Sequence, residues 1–208
     1  MPEGPEIWIL SQAINLYFEN DNTYSIGKHL FLKEENEDWS FGLNGKVSIS
    51  PLNDLLVKID GGWLNGEKKQ IETNNKLGVD WIQGDAKMIE NEIKKWMKSK
   101  KKLGVIMLEQ DKISGIGVAW GSELLFASDL RPDMRCCDQK LDKLLDIILT
   151  TRDKIKNTYM EHLNMIKYSR QILKLFIDEW FLNLYDIRDM NIYKKGSKVM
   201  VNGRNWWV

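Results

Sequence analysis

Apolar residues recur at helical spacing soon after the chain begins. Ile7, Leu10, Ile14 and Phe18, with Trp8 and Tyr17 beside them, predict a helix over 6–19. Pro5 falls near its first turn, where proline is tolerated. A polar turn is expected at 20–24. From 25 to 72 the pattern shortens into apolar runs broken by Gly, Asn and Asp. His29–Lys33, Trp39–Leu43, Val47–Ile49 and Leu55–Ile59 read as short strands, and Asn44-Gly45 and Asn65-Gly66 as hairpin-type turns. The polar stretch Glu72–Lys76 reads as a linker. Beyond it the pattern is helical: 86–99 with Ile89, Ile93 and Trp96 on one face, then Val105–Glu109, 118–128, 139–157 and 160–182. The two glycines of Ile113–Gly117 interrupt this run. The final stretch, Asn191–Val208, turns β-like again, with Val199–Val201, Asn202-Gly203 and Trp206–Val208 forming a hairpin signature.

The expected fold class is therefore α+β. A small β-rich domain with a leading helix occupies 1–76, and a helical domain with a terminal hairpin occupies 77–208. A length of 208 residues is compatible with one or two domains. No apolar run approaches the roughly 18–20 residues of a membrane span, and no basic-then-apolar leader opens the chain, so a membrane partner and secretion are not expected. Lys+Arg and Asp+Glu are each 30. That balance excludes a generic polycation but leaves room for a local basic face. Cys136 and Cys137 are adjacent and are the only cysteines. They rule out a four-cysteine zinc site and fit a reducing compartment.

The first residues carry the sharpest chemistry. Removal of Met1 leaves Pro2 with a secondary amine whose ordinary pKa, about 7.7–8.0, keeps an appreciable fraction neutral near neutral pH. Such an amine attacks an aldehyde-level carbon and forms an iminium, an electron sink. Glu3 beside it is placed to move protons. The bland reading of the same residues is an ordinary chain start. Gly115 and Gly117 permit a tight turn at a helix start, a geometry that presents backbone N–H groups to a phosphate. Lys28, at a strand start, could neutralise a phosphate. Arg204 follows the Asn202-Gly203 turn, so its guanidinium would sit at a hairpin tip and fork onto a phosphate. The densest basic run, Lys94-Lys95 with Lys98–Lys102, reads as a solvated helix face.

Four blocks in order resemble one family. Met1-Pro2-Glu3-Gly4-Pro5-Glu6-Ile7, Gly27-Lys28-His29-Leu30-Phe31, Leu108–Gly117 with Glu123–Ala127 and Pro132, and Gly203-Arg204-Asn205-Trp206-Trp207 resemble the formamidopyrimidine-DNA glycosylase/endonuclease VIII family. The chain looks like a shortened, zincless member. The resemblance implies a β-sandwich-like N-terminal domain, a helix–two-turn–helix in the helical domain, and a zincless finger at the end. It implies base-excision repair of oxidised bases with AP lyase activity. Pro2 would be the nucleophile, Glu3 the acid/base, and Lys28, Gly115, Gly117 and Arg204 the DNA-binding residues. No metal and no cofactor are expected. The partner would be damaged DNA, duplex or single-stranded, met by a monomer in the cytoplasm, nucleoid or nucleus.

Three features depart from the family pattern. Val118 stands where the family carries a phosphate-binding Asn, and it has no side-chain donor. The terminal hairpin would be held by Tyr193, Val199, Val201, Trp206 and Trp207 instead of metal. The N-terminal half is short, so sandwich strands must be missing. Phe41, Leu43, Trp63 and Trp81 are candidates to fill the hole left by a flipped base. A damaged-DNA-binding protein of the same fold without base excision, and a structural protein whose Trp-rich faces mediate contacts, are the alternatives.

Overall fold

The computed structural model describes residues 3–19, 21, 23–26, 29–33, 38–42, 46–49, 57–60, 77–178 and 190–208. The chain divides into two compact units. One comprises Met1–Asn75 and Ile155–Arg188, the other Lys76–Lys154 and Asp189–Val208. Residues 155–188, which periodicity alone groups with the helical half, thus fall in the first unit. Periodicity shows that a helix has a buried face but not what that face meets. Among the described residues, no helix is long and apolar enough to cross a membrane.

The first unit is organised by α1, Gly4–Phe18. Its cap is a reciprocal capping box: the Glu3 backbone N–H donates to Glu6 Oε2 at 2.6 Å, and the Glu6 backbone N–H donates to the Glu3 side chain. Because Glu3 supplies the cap, the helix begins two residues before the start that periodicity suggests. Ile7, Trp8, Ile9, Leu10, Ala13 and Ile14 are all buried, and so are Glu3, Glu6 and Ser11. A helix buried nearly all round belongs inside its unit, not on the surface. The polar side chains find partners there: Ser11 Oγ donates to the Trp8 carbonyl at 2.7 Å. Asn15 pairs with Thr23 much as a strand neighbour would. Its Nδ2 donates to the Thr23 carbonyl at 2.8 Å and its Oδ1 accepts the Thr23 N–H at 2.9 Å.

That pairing starts β1, Thr23–Ile26, inside the stretch expected to be a turn. β1 lies antiparallel to β2, His29–Lys33, and β2 antiparallel to β3, Asp38–Gly42. A separate antiparallel pair joins β4, Lys46–Ile49, to β5, Val57–Asp60. The expected turns at Asn44-Gly45 and Asn65-Gly66 and the linker Glu72–Lys76 lie outside the described residues.

The second unit begins with β6, Val79–Asp80, and α2, Ala86–Trp96. Asp80 Oδ1 accepts the N–H groups of Ile82 and Gln83, and Asp85 Oδ1 those of Lys87 and Met88. Two side chains of the type that compete with the backbone thus make the turn and cap the helix. α2 buries Ile89, Ile93 and Trp96, the face its spacing predicts. Then come α3, Leu103–Ile106; β7, Ile113–Ser114; and α4, Val118–Ala127. β7 pairs with β6 in parallel, a long-range pairing that no local pattern announces. The spacing predicts Val105–Glu109 for α3. The helix starts earlier because the Leu103 and Gly104 N–H groups, orphaned at a helix start, donate to the carbonyls of Met134 and Pro132 at 2.9 Å.

The pattern predicts two helices over 139–157 and 160–182. Instead α5 runs unbroken over Asp142–Ile166, and α6 follows at Arg170–Asp178. Leu144, Ile148, Ile155, Tyr159 and Leu163 are buried and stay in helical phase across the expected break. In the first unit α6 buries Leu173, Phe176 and Ile177 and packs against α1 and β4. The chain ends with β8, Lys198–Val201, and β9, Arg204–Trp207, an antiparallel hairpin in the second unit.

His162 lies 5.5 Å, centroid to centroid, from Phe176, and burial pushes its pKa below the ordinary value. The unfolded chain therefore takes up a proton before the folded one as pH falls through about 6.5, and folding weakens from there down to the folded-state pKa. Thermal unfolding followed by circular dichroism should show Tm dropping from about pH 7.5 to 5.5 by more in the natural protein than in His162→Phe, which keeps the ring and lacks the proton site.

Candidate nucleic-acid interface

The turn between α3 and α4 is built by one side chain. Gln110 Oε1 accepts the Gly115 N–H at 2.9 Å, and Gln110 Nε2 donates to the carbonyls of Ile116 at 3.0 Å and Leu108 at 3.2 Å. Gly115 has φ +91°, a conformation that side chains with a Cβ rarely adopt. From below, the turn is held by β7. The Trp81 N–H donates to the Ser114 carbonyl at 3.2 Å, and Ser114 Oγ donates to the Gly78 carbonyl at 3.1 Å. Gly117 is the N-cap of α4, with no side-chain hydrogen bond at the cap. Its carbonyl accepts the Gly121 N–H at 2.8 Å, the first bond of the helix.

The hairpin is seated on α4 by three devices. The carboxylate of Glu123, buried in α4, accepts three successive backbone N–H groups: Asn191 on Oε2 at 2.8 Å, and Ile192 and Tyr193 on Oε1, both at 2.7 Å. Ser122 Oγ accepts the Trp207 N–H at 3.1 Å. Third, Trp206 is fully buried against Gly104 of α3 and Gly121 of α4. A Cβ on Gly104 would stand 2.8 Å from Trp206 Cε2, and one on Gly121 2.8 Å from Cζ3. The indole Nε1–H has no hydrogen-bond partner, so shape and not polarity seats the ring. At the other end of the hairpin, Asn202 and Gly203 have φ +48° and +72°. These signs fit a two-residue turn of the type favoured by strand twist. Val201 pairs with Arg204 directly across it, and Arg204 is exposed.

The chain aligns with solved structures over nearly all its length. Wild-type Lactococcus lactis Fpg (MutM) in complex with DNA containing N7-benzyl-Fapy-dG matches with a TM-score of 0.63 at 16% identity, over 99% of this chain and 97% of that one. MutM (Fpg) from Thermus thermophilus gives 0.62 at 13% identity, over 99% and 96%. L. lactis Fpg bound to DNA with an AP site gives 0.57 at 14% identity, over 90% and 78%. The chain has the Fpg fold. No family sequence profile matches the chain, and no curated protein matches it by sequence.

Within this Fpg fold the sequence-derived site residues are distributed unevenly. Glu3 is the buried N-cap of α1, and Arg204 is at the hairpin tip. Gly115 and Gly117 flank the turn before α4, but the Gly115 N–H is spent on Gln110. What Gly115 contributes to this turn is its backbone conformation. Pro2 and Lys28 lie outside the described residues, as do Leu43 and Trp63; Phe41 is on β3. Trp81 is completely buried, 5.9 Å from the ring of Trp120, and cannot enter a DNA duplex. Lys94, Lys95 and Lys101 pair with Glu90, Glu92 and Glu109, which fits the solvated-face reading of that basic run. Cys136 and Cys137 are both free thiols, and burial pushes Cys136 up to about 11.

The sequence offers Gln110 and Glu123 only as members of a motif, without a role, and no motif gives notice of Ser122 or the Gly104/Gly121 pair. A glycine inside a helical pattern is the available signal, since it marks a close approach. Glu123→Ala should remove three part-buried hydrogen bonds to a carboxylate and cost about 2–3 kcal/mol, read as a fall in the urea midpoint at constant m. Gly121→Ala should cost about 1–3 kcal/mol by overpacking against Trp206, whereas Gly203→Ala, with open space around it, should cost only about 1 kcal/mol of backbone strain.

Proposed function

We propose that the protein is a DNA base-excision repair glycosylase with AP lyase activity on oxidised bases, acting through the amine of Pro2 after loss of Met1. The observation that carries this reading is the overlap with DNA-bound Fpg structures along nearly the whole chain. The buried capping box adds support: it anchors Glu3 firmly, one residue from the amine.

On this reading the target nucleotide leaves the stack, because C1′ is inaccessible inside a duplex. The Pro2 nitrogen bonds to C1′, and the damaged base departs with the electron pair of the glycosidic bond and a proton. Opening of the C1′–O4′ bond gives the iminium and leaves O4′ to be protonated. The iminium acidifies C2′–H; loss of that proton expels the 3′ phosphate, and a second elimination can expel the 5′ phosphate. Water then hydrolyses the iminium and frees the amine. Glu3 is the group for the proton transfers. Lys28 and Arg204 bind the flanking phosphates, and the glycine-capped start of α4 offers backbone amides to a third.

A second reading, a lesion-binding protein without base excision, is favoured by Val118. It stands at the first position of α4 and brings no side-chain donor to the place where the resembled family has Asn.

Borohydride trapping separates the two. Met-processed protein should form a covalent adduct with abasic-site DNA, and protein that retains Met1 or is acetylated at Pro2 should form none. A clean terminus that gives no adduct while still retarding abasic DNA in a gel overturns the enzyme and selects the binding protein. Arg204→Ala should weaken DNA binding at every sequence and lower the slope of log affinity against log salt by about 1.

A further inference from the structure

The segment Met190–Val208 contains Lys194, Lys195, Lys198 and Arg204 and no Asp or Glu, in a chain whose acidic and basic residues balance overall. Its aromatic rings are interleaved with these charges. Tyr193 and Trp207 meet edge to face at 5.9 Å. Lys198 Nζ stands 4.8 Å over the Trp207 ring and Lys194 Nζ 5.5 Å over Tyr193. Trp207 also walls a groove of about 470 Å³, together with Phe126, Leu130, Arg131 and Ser197. Phe126, in the last turn of α4, is 49% exposed and shares the wall of this groove with the Trp207 ring. Asp129 also lines the groove, but its carboxylate pairs with Lys143.

We propose that this groove binds an unpaired nucleotide of single-stranded DNA, its base against Phe126 and Trp207 and its phosphates against Lys194 and Lys198. Every base has a π-face, so aromatic walls accept single strands without regard to sequence, and the adjoining lysines track the backbone. A duplex keeps its bases stacked and offers the rings nothing. Neither the glycine turn nor Arg204 lines the groove, so a nucleotide bound there would belong to a single-stranded flank or flap. The inference rests on the nucleic-acid side of the reading above and not on its chemistry.

Fluorescence anisotropy with labelled oligothymidylate and with an intact duplex of equal length tests it, since binding is read without turnover. Phe126→Ala and Trp207→Leu should each weaken single-strand binding about five- to tenfold and leave duplex binding within about twofold. Lys198→Glu should weaken single-strand binding and flatten its salt dependence. If Trp207→Leu loses duplex binding as well, the hairpin has come off Ser122, and Phe126→Ala, which leaves that bond intact, decides alone. Unchanged single-strand affinity in Phe126→Ala overturns the proposal. So does displacement of oligothymidylate by polyglutamate as readily as by unlabelled oligothymidylate, which would assign the groove to an acidic peptide. A failed borohydride trap with these binding results intact would remove the enzyme and keep the site.

Discussion

The indole of Trp206 occupies a slot that only two glycines leave open. Gly104 and Gly121 belong to helices on either side of the turn, and each would collide with the ring if it carried a Cβ. One aromatic side chain therefore fixes three elements at once: α3, α4 and the hairpin that carries it. Burying an aromatic of this size removes about 150–250 Å² from water, an upper estimate of roughly 4–6 kcal/mol at 25 cal/mol per Å². The neighbouring polar bonds, Glu123 to three N–H groups and Ser122 to Trp207, add direction to that apolar grip. Among the described residues no group of three or more His, Cys, Asp or Glu is arranged to hold a metal. The position of Arg204 follows from the seat of Trp206, two residues away along β9.

The same economy is visible in the turn before α4. Gln110 uses both ends of its carboxamide, so the loop has one arrangement in which all three of its bonds are made. Gly115 then supplies a backbone angle that the arrangement demands. Electrostatics is handled by placement, not by total charge. Lys94, Lys95 and Lys101, around α2 and α3, are matched by glutamates four, three and eight residues away, whereas the charged side chains of the hairpin segment are all positive. A neutral protein can thus present one basic face and avoid bulk attraction to nucleic acid.

Local signals are legible where a local interaction decides the structure. The spacing of Ile89, Ile93 and Trp96 marks α2, the Asn202-Gly203 pair marks the hairpin turn, and alternating short runs mark β2 to β5. Legibility fails where the decisive partner is far along the chain. The β6–β7 pairing joins residues more than thirty positions apart, and α3 is started by carbonyls of Pro132 and Met134. The continuity of α5 across the polar residues Asn157 and Thr158 follows from a buried face that reads in phase only when Tyr159 and Leu163 are counted with Ile155. The N-terminal capping box is present in the letters as Glu3 and Glu6, but a proline-bounded start draws the eye to its chemistry instead. Trp81 shows the opposite error: a large aromatic looks available to a ligand although the core needs it.

Val118 changes which interaction carries the phosphate in the proposed function. A side-chain amide at that position would adjust its own torsions to meet an oxygen and tolerate small errors in the loop. A valine cannot, so the contact falls to backbone amides at the start of α4, whose directions are set wholly by the preceding turn. Those directions depend on Gly115 keeping its positive φ and on Gln110 holding Gly115 and Ile116 together. The burden of accuracy therefore moves from a flexible side chain at the interface to a carboxamide behind it. On that reading rigidity replaces reach, and Gln110, which touches no ligand, sets the aim of this one contact.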